Sequence, residues 1–202
     1  MKTEKMDRRV KYTTLLLKGS LIKLMKNYSI SKISVKMLCE DADINRSTFY
    51  AHYNDQFDLL RQLEQEVITE FENYIDMHTM TDPVDTVAIL KQLLEYAAKN
   101  VDLFRVLLSE NGDSEFQRDI LSLAQRQIIS NLKSDQSLDP RTSEYLQRFI
   151  IAGALEILQK WIQDGTVEST QQMAELLSKL LFQGVSSFFK NISDPTKIIQ
   201  FY

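Results

Sequence analysis

Seven side chains able to hydrogen-bond or stack stand within nine positions of INRSTFYAHYND, residues 44–55: Asn45, Arg46, Ser47, Thr48, Tyr50, His52 and Tyr53. A core helix does not carry so many polar groups, and a solvated face carries more charge and fewer rings. Guanidinium, amide, hydroxyl and aromatic groups at this density suit a surface with acceptor-rich edges and phosphates, as a DNA duplex has.

Two short helices position these groups. Ser34 is placed to cap a helix over Val35 to about Asp41, Asp43 stands in a tight turn, and a second, more polar helix starts near Asn45. The span of about 34–53 is thus a helix-turn-helix, in which the first helix braces the second. Leu38, Ala42, Ile44 and Phe49 face a small core shared with a first helix running from about Asp7 to Asn27. That helix carries Leu16, Leu17, Leu21, Leu24 and Met25 as its apolar stripe, and Gly19 inside it is expected to admit a close neighbouring helix. Asn54 or Asp55 begins another helix towards Met77, with Phe57, Leu60, Leu63, Val67 and Phe71 inward.

Period-3.6 patterning continues through the chain and sustained alternation is almost absent, which predicts an all-α fold of about nine helices. Asp82-Pro83, Asp139-Pro140 and the Ser169/Gln172 capping-box pair mark helix starts, while Asn111-Gly112 and Asp164-Gly165 mark ends. Helices are expected near 83–99, 101–109, 114–133, 140–164 and 169–191. The 202 residues divide into a domain at 1–66 and a larger helical one at 67–202. Residues 1–53 hold 11 Lys and Arg against 5 Asp and Glu, and residues 54–202 hold 13 against 23. A basic head on an acidic body points to a polyanion partner for the head.

Several classes are disfavoured. No run approaches the roughly 18 apolar residues that span a bilayer, and the basic N-terminus lacks a signal peptide's apolar segment. One cysteine, Cys39, cannot staple the fold, so a reducing cytoplasm is expected, with Cys39 packed in the core. His52 and His78 are the only histidines, without ligand spacing to cysteine, so no metal or other cofactor is expected. Phosphate-binding loops and nucleophile elbows are missing, and an enzyme is not expected.

The stretch ISVKMLCEDADINRSTFYAHYNDQFDLL, residues 33–60, resembles the DNA-binding domain of the tetracycline-repressor (TetR) family of transcriptional regulators, and the likeness extends over about 8–65. ILQKWIQDGTVESTQQMAELLSKLL, residues 157–181, is similar to the C-terminal region of a TetR subgroup. The resemblance implies a homodimeric regulator, a repressor, released from a palindromic DNA operator by a small-molecule effector. It implies that Lys36 reaches a base edge or phosphate and Arg46 reads a base. Thr48 would bind a phosphate, Tyr50 pack on a thymine methyl or the backbone, and His52 face the backbone. Ser47 and Tyr53 become phosphate contacts, and the backbone amides of Ser34 and Val35 suit a phosphate oxygen. The sequence departs from the family pattern at Asp43, where glycine is frequent, at Gln56, where lysine is common, and at Ala51, where a larger residue sometimes stands.

The body is expected to dimerise. The helix at 140–164 has two apolar rows, Leu146, Ile150, Gly153, Ile157 and Trp161, and Ile151, Leu155, Leu158 and Ile162. A helix apolar on two sides must bury both. The expected four-helix interface draws on Phe149, Gly153, Ile157, Leu177, Leu181, Gly184 and Phe188. Tyr96, Phe104, Phe149 and Trp161 are the candidate lining of an effector pocket. The competing reading is a non-enzymatic adaptor or coactivator that keeps the fold and binds DNA weakly or not at all.

Overall fold

The computed structural model describes residues 2–79, 86–109, 112, 115–120, 122, 123 and 139–186, the side chains of 2–9, 76–79, 86 and 181–186 excepted. Every regular element among them is helical, as the sequence predicts: α1 (Lys2–Met25), a 3-10 turn (Ile30–Lys32), α2 (Val35–Ala42), α3 (Arg46–Tyr50), α4 (Gln56–Thr79), α5 (Thr86–Lys99), α6 (Val101–Leu107), α7 (115–120, with 122 and 123), α8 (Pro140–Gln163) and α9 (Thr170–Ser186). The chain divides into two compact units, residues 1–67 with 106–116, and residues 68–105 with 117–202. The segment 106–116, assigned by sequence to the second domain, thus groups with the first unit.

In the first unit, Leu17, Leu21 and Met25 of α1 are buried with Ile33, Leu38, Phe49, Leu59 and Leu60. Each such side chain contributes about 1.5–3 kcal/mol by leaving water, an upper estimate. Polar bonds fix the pairing of α1 with α2. The buried Ser20 hydroxyl donates to the Leu38 carbonyl at 3.2 Å, and Lys23 Nζ meets Asp41 Oδ1 at 2.5 Å. Lys18 pairs with Glu66, joining α1 to α4.

Two expectations fail here. Gly19 is exposed and a Cβ there would meet nothing within 4 Å, so it seats no neighbouring helix within this unit. Phe57 is 42% exposed; the buried row of α4 runs through Leu59, Leu60, Leu63, Val67 and Phe71 instead. Asp55 begins α4: its Oδ1 accepts the Asp58 amide at 2.8 Å, while Asp58 Oδ2 accepts the Asn54 amide at 2.9 Å. This reciprocal cap fixes the start of α4 one turn beyond α3. Gly112 is required where it stands, because a Cβ would lie 2.2 Å from the Leu107 carbonyl oxygen.

In the second unit α9 packs on α5 and on α8. Phe71, Tyr74, Tyr96 and Phe104 form one aromatic cluster, Phe71 and Phe104 stacked at 5.8 Å and Tyr96 edge-on to both. The ends of α8 and α9 follow the sequence signals. Asp139 Oδ1 accepts the amides of Arg141 and Thr142, with Pro140 in the first turn. Gly165 at φ 87° ends α8, its amide bonding Ile162 O and the Thr166 amide bonding Trp161 O, a Schellman closure. Ser169 and Gln172 cap α9 reciprocally. Trp161 is buried and its indole N–H donates to the Glu168 carbonyl at 3.0 Å, holding the α8–α9 connection in place. Asp82-Pro83, Asn111 and Phe188 lie outside the described residues.

Candidate nucleic-acid interface

Three local devices set the orientation of α3. Asp43 takes the left-handed conformation, φ 52° and ψ 44°, so the turn after α2 closes without glycine, and its amide bonds Cys39 O. Aspartate tolerates this region better than most residues. Asn45 then caps α3, its Oδ1 accepting the Ser47 amide at 3.0 Å and the Ser47 hydroxyl at 3.1 Å. Finally Phe49, fully buried, pins one face of the helix to the core. Five residues make a helix too short to persist without such anchors.

With Phe49 inward, the opposite face is open. Arg46 and Ser47 are exposed, Thr48 is half-buried, and Tyr50 is 58% exposed with its ring edge-on to Phe49. His52 is half-buried beyond the end of α3. On α2, Ser34 is exposed and its hydroxyl accepts the Met37 amide, the cap expected from sequence; Val35 is half-buried and Lys36 is exposed. The structure therefore places Ser34, Lys36, Arg46, Ser47 and Tyr50 at the surface of one helix-turn-helix.

Tyr53 is the correction in this set. It is 4% exposed, its ring lies 5.6 Å from Phe49, and burial pushes its phenol upward, with the Thr14 hydroxyl pulling the other way. A ring so enclosed anchors α3 rather than meeting a phosphate. Ile44, expected in the core, is half-buried and lines a surface groove.

That groove, about 470 Å³ and open to solvent, lies between α2 and α3 and is lined by Lys36, Cys39, Glu40, Asp43, Ile44, Asn45 and Arg46. Lys36 Nζ and Glu40 Oε1 stand 3.7 Å apart, both side chains more than 60% exposed. Cys39 is buried, and burial raises its thiol, with Arg46 lowering it and Glu40 raising it further. It stays protonated and packs as a small apolar group, as expected. Glu40 was not singled out from the sequence; its i, i+4 spacing from Lys36 was the available signal.

The residues proposed for the body separate on folding. Tyr96 and Phe104 meet at 5.9 Å within the aromatic cluster. Trp161 is buried, but Phe149 lies 12 residues earlier on α8, about 18 Å along the axis, and is 77% exposed. Phe149 is thereby removed from an interior effector lining. In the expected dimer set, Gly153 is exposed and Ile157 half-buried, whereas Leu177 is 5% exposed and packs inside its own unit. The exposed row of α9 is Leu176 and Leu180 instead. Leu181 and Gly184 belong to α9.

The chain is similar to known proteins in part of its sequence and in its fold. Residues 85–183 match the family TetR_C_8, transcriptional regulator C-terminal region. The chain superposes on a TetR transcriptional regulator from Streptococcus agalactiae 2603V with TM-score 0.64 and 21% identity, over 89% of this chain and 98% of that one. The fatty acid degradation regulator FadR from Bacillus halodurans gives 0.61 and 16%, over 84% and 94%. The dihydroxyacetone kinase operon activator DhaS gives 0.57 and 20%, over 88% and 98%. No curated protein matches the sequence.

Proposed function

We propose that the chain is a transcriptional regulator of the TetR type, a homodimer that binds a palindromic DNA operator, represses there, and is released by a small-molecule effector. One observation carries the DNA reading: adjacent residues of α3 point opposite ways, Phe49 fully buried and Tyr50 58% exposed. The helix is held by one face and offers Arg46, Ser47 and Tyr50 on the other. In a major groove Arg46 would pair with a guanine edge and Tyr50 with a thymine methyl or sugar. Ser47, Thr48, His52, Lys36 and the first turn of α2 at Ser34 and Val35 would engage phosphates, which orient the protein without reading sequence. Tyr53 has no part in this contact.

One recognition helix spans too few base pairs, so a second copy related by a two-fold axis is needed to read a palindrome. The exposed row Tyr145, Phe149 and Gly153 on α8 repeats every four residues, as do the exposed Leu176 and Leu180 on α9. Such rows of apolar and small residues fit helix-on-helix association between copies. An effector would act by binding more tightly to one spacing of the two heads than to the other. An effector reaching Tyr96 and Phe104 would be of apolar or aromatic character, and a cytoplasmic location accords with a DNA partner.

Selection of bound duplexes from a random library tests this reading. A palindrome with half-sites about 35 Å apart, or a multiple of that, is expected. Affinity for the selected duplex should drop by orders of magnitude between ~50 and ~200 mM salt. Failure to enrich any sequence, or a flat salt response, favours an adaptor that only retains the fold.

A further inference from the structure

The groove between α2 and α3 is not uniformly basic. Glu40, in the second half of α2, lines it together with Lys36 of the same helix and Arg46 of α3. A surface built to hold phosphates has no use for an exposed carboxylate, which repels them. Base edges in the major groove differ: they alternate acceptors with exocyclic amines, and a carboxylate accepts from such an amine. Glu40 and Arg46 line the same groove, together with Cys39, so both charges face one surface of the helix-turn-helix. Lys36 Nζ stands 3.7 Å from Glu40 Oε1, one helical turn away on the same face of α2.

We propose that Glu40 is a specificity-determining residue that accepts a hydrogen bond from the exocyclic amine of a cytosine near the base read by Arg46. The proposal rests on the DNA-binding reading above and adds a base-reading role for α2. Glu40 both attracts the correct base and penalises bases that present only acceptors there, because their lone pairs would face a carboxylate.

The test uses the full-length protein and repeats the library selection with wild type, Glu40→Ala and Glu40→Gln, and with Glu70→Gln as a control for lost surface charge. Wild type should show one position per half-site with a cytosine preference on the order of tenfold to a hundredfold. Glu40→Ala should flatten that position and leave the others intact. Glu40→Gln should move the preference towards adenine, whose edge an amide matches in two bonds. That switch is not produced by a merely structural change in α2. Both variants should bind random duplex more tightly than wild type, while Glu70→Gln should not. Unchanged base profiles in both Glu40 variants, with wild type still selecting a palindrome, overturn the assignment of Glu40 and leave DNA binding standing. Loss of preference at every position in Glu40→Gln, with helical content intact, also overturns it. Absence of any selected sequence for wild type overturns the reading on which it rests.

Discussion

Phe49 and Tyr53 lie ring to ring, centroids 5.6 Å apart and planes at 47°, both withdrawn from solvent. Tyr50 meets the same Phe49 ring edge-on, at 5.6 Å and 88°, yet keeps more than half its surface in water. Two of the three rings hold α3 to the body of the unit, and the third is left for a partner. Tyr53→Phe removes a buried hydroxyl that sits with Thr14. It should lower unfolding stability by about 0.5–1.5 kcal/mol in a urea titration and leave DNA affinity unchanged. Tyr50→Ala should do the reverse. Weakened DNA binding by a fully stable Tyr53→Phe protein would return Tyr53 to the interface.

Arg46 and Thr48 should separate in their effects. Arg46→Ala is expected to cost about 1–3 kcal/mol of binding and to relax one base position, because a bidentate contact reads that base. Thr48→Ala should weaken binding to all duplexes alike, since a phosphate contact carries no sequence. Binding profiles across a set of single-base operator variants distinguish the two outcomes.

Asn45 couples a local bond to function. Its Oδ1 takes two donors from Ser47 at the start of a five-residue helix. Asn45→Ala should destabilise by about 1 kcal/mol, and Asn45→Gly by only a few tenths, because glycine is itself a tolerated cap. DNA affinity should follow the same order, since disorder in the first turn of α3 displaces Arg46. Calorimetric melting and fluorescence titration with operator duplex check both.

Lys23 and Asp41 tie α1 to α2 at 2.5 Å, and the hydrogen bond from Lys23 is the main cause that holds the Asp41 carboxyl below its ordinary value of 3.8. A carboxyl whose folded pKa is depressed adds stability above its unfolded pKa and loses it as pH falls through the folded one. Lys23 is largely exposed, so the contribution is modest, about 0.2–1 kcal/mol at neutral pH. Asp41→Asn should therefore be less stable than wild type at pH 7. The gap should close on acidification below 3.8, as Asp41 takes up its proton. Urea unfolding of both proteins at several pH values measures the difference.

The parts of this fold that the sequence announces are those with their own local chemistry. Asp43 in the left-handed turn, Asn45 at the head of α3, Asp139 before Pro140 and the Ser169/Gln172 pair each carry their hydrogen bonds within four residues, so position in the chain is enough to find them. What a face meets is a different question. Phe57 and Leu59 both satisfy a helical period, and only the packed unit shows that the buried row passes through Leu59. On α9 apolar residues surround the axis, so periodicity leaves open whether Leu177 or Leu176 and Leu180 turn inward. Gly19 shows the same limit: a missing side chain permits close approach but does not supply a neighbour. Glu40 is not legible in the sequence because acidic residues on an exposed helix face are ordinary, and only the folded groove gives it a lining shared with Arg46.

Phe149 gives the sharpest test of association. Its side chain is 77% exposed on α8, one turn from exposed Tyr145 and from Gly153, where a Cβ would meet nothing within 4 Å. An aromatic ring so placed contributes little to the fold of the single chain, yet would be buried if two copies pair along α8. Phe149→Glu should therefore leave the monomer's melting curve in place while introducing a charge that paired helices cannot desolvate. Light scattering at micromolar concentration should report a dimer for wild type and a monomer for Phe149→Glu. The variant should also lose affinity for a full palindrome while keeping its affinity for an isolated half-site, because each head is intact and only their linkage is gone. A wild-type monomer, or a dimer indifferent to Phe149→Glu, would place the two-fold contact on another surface.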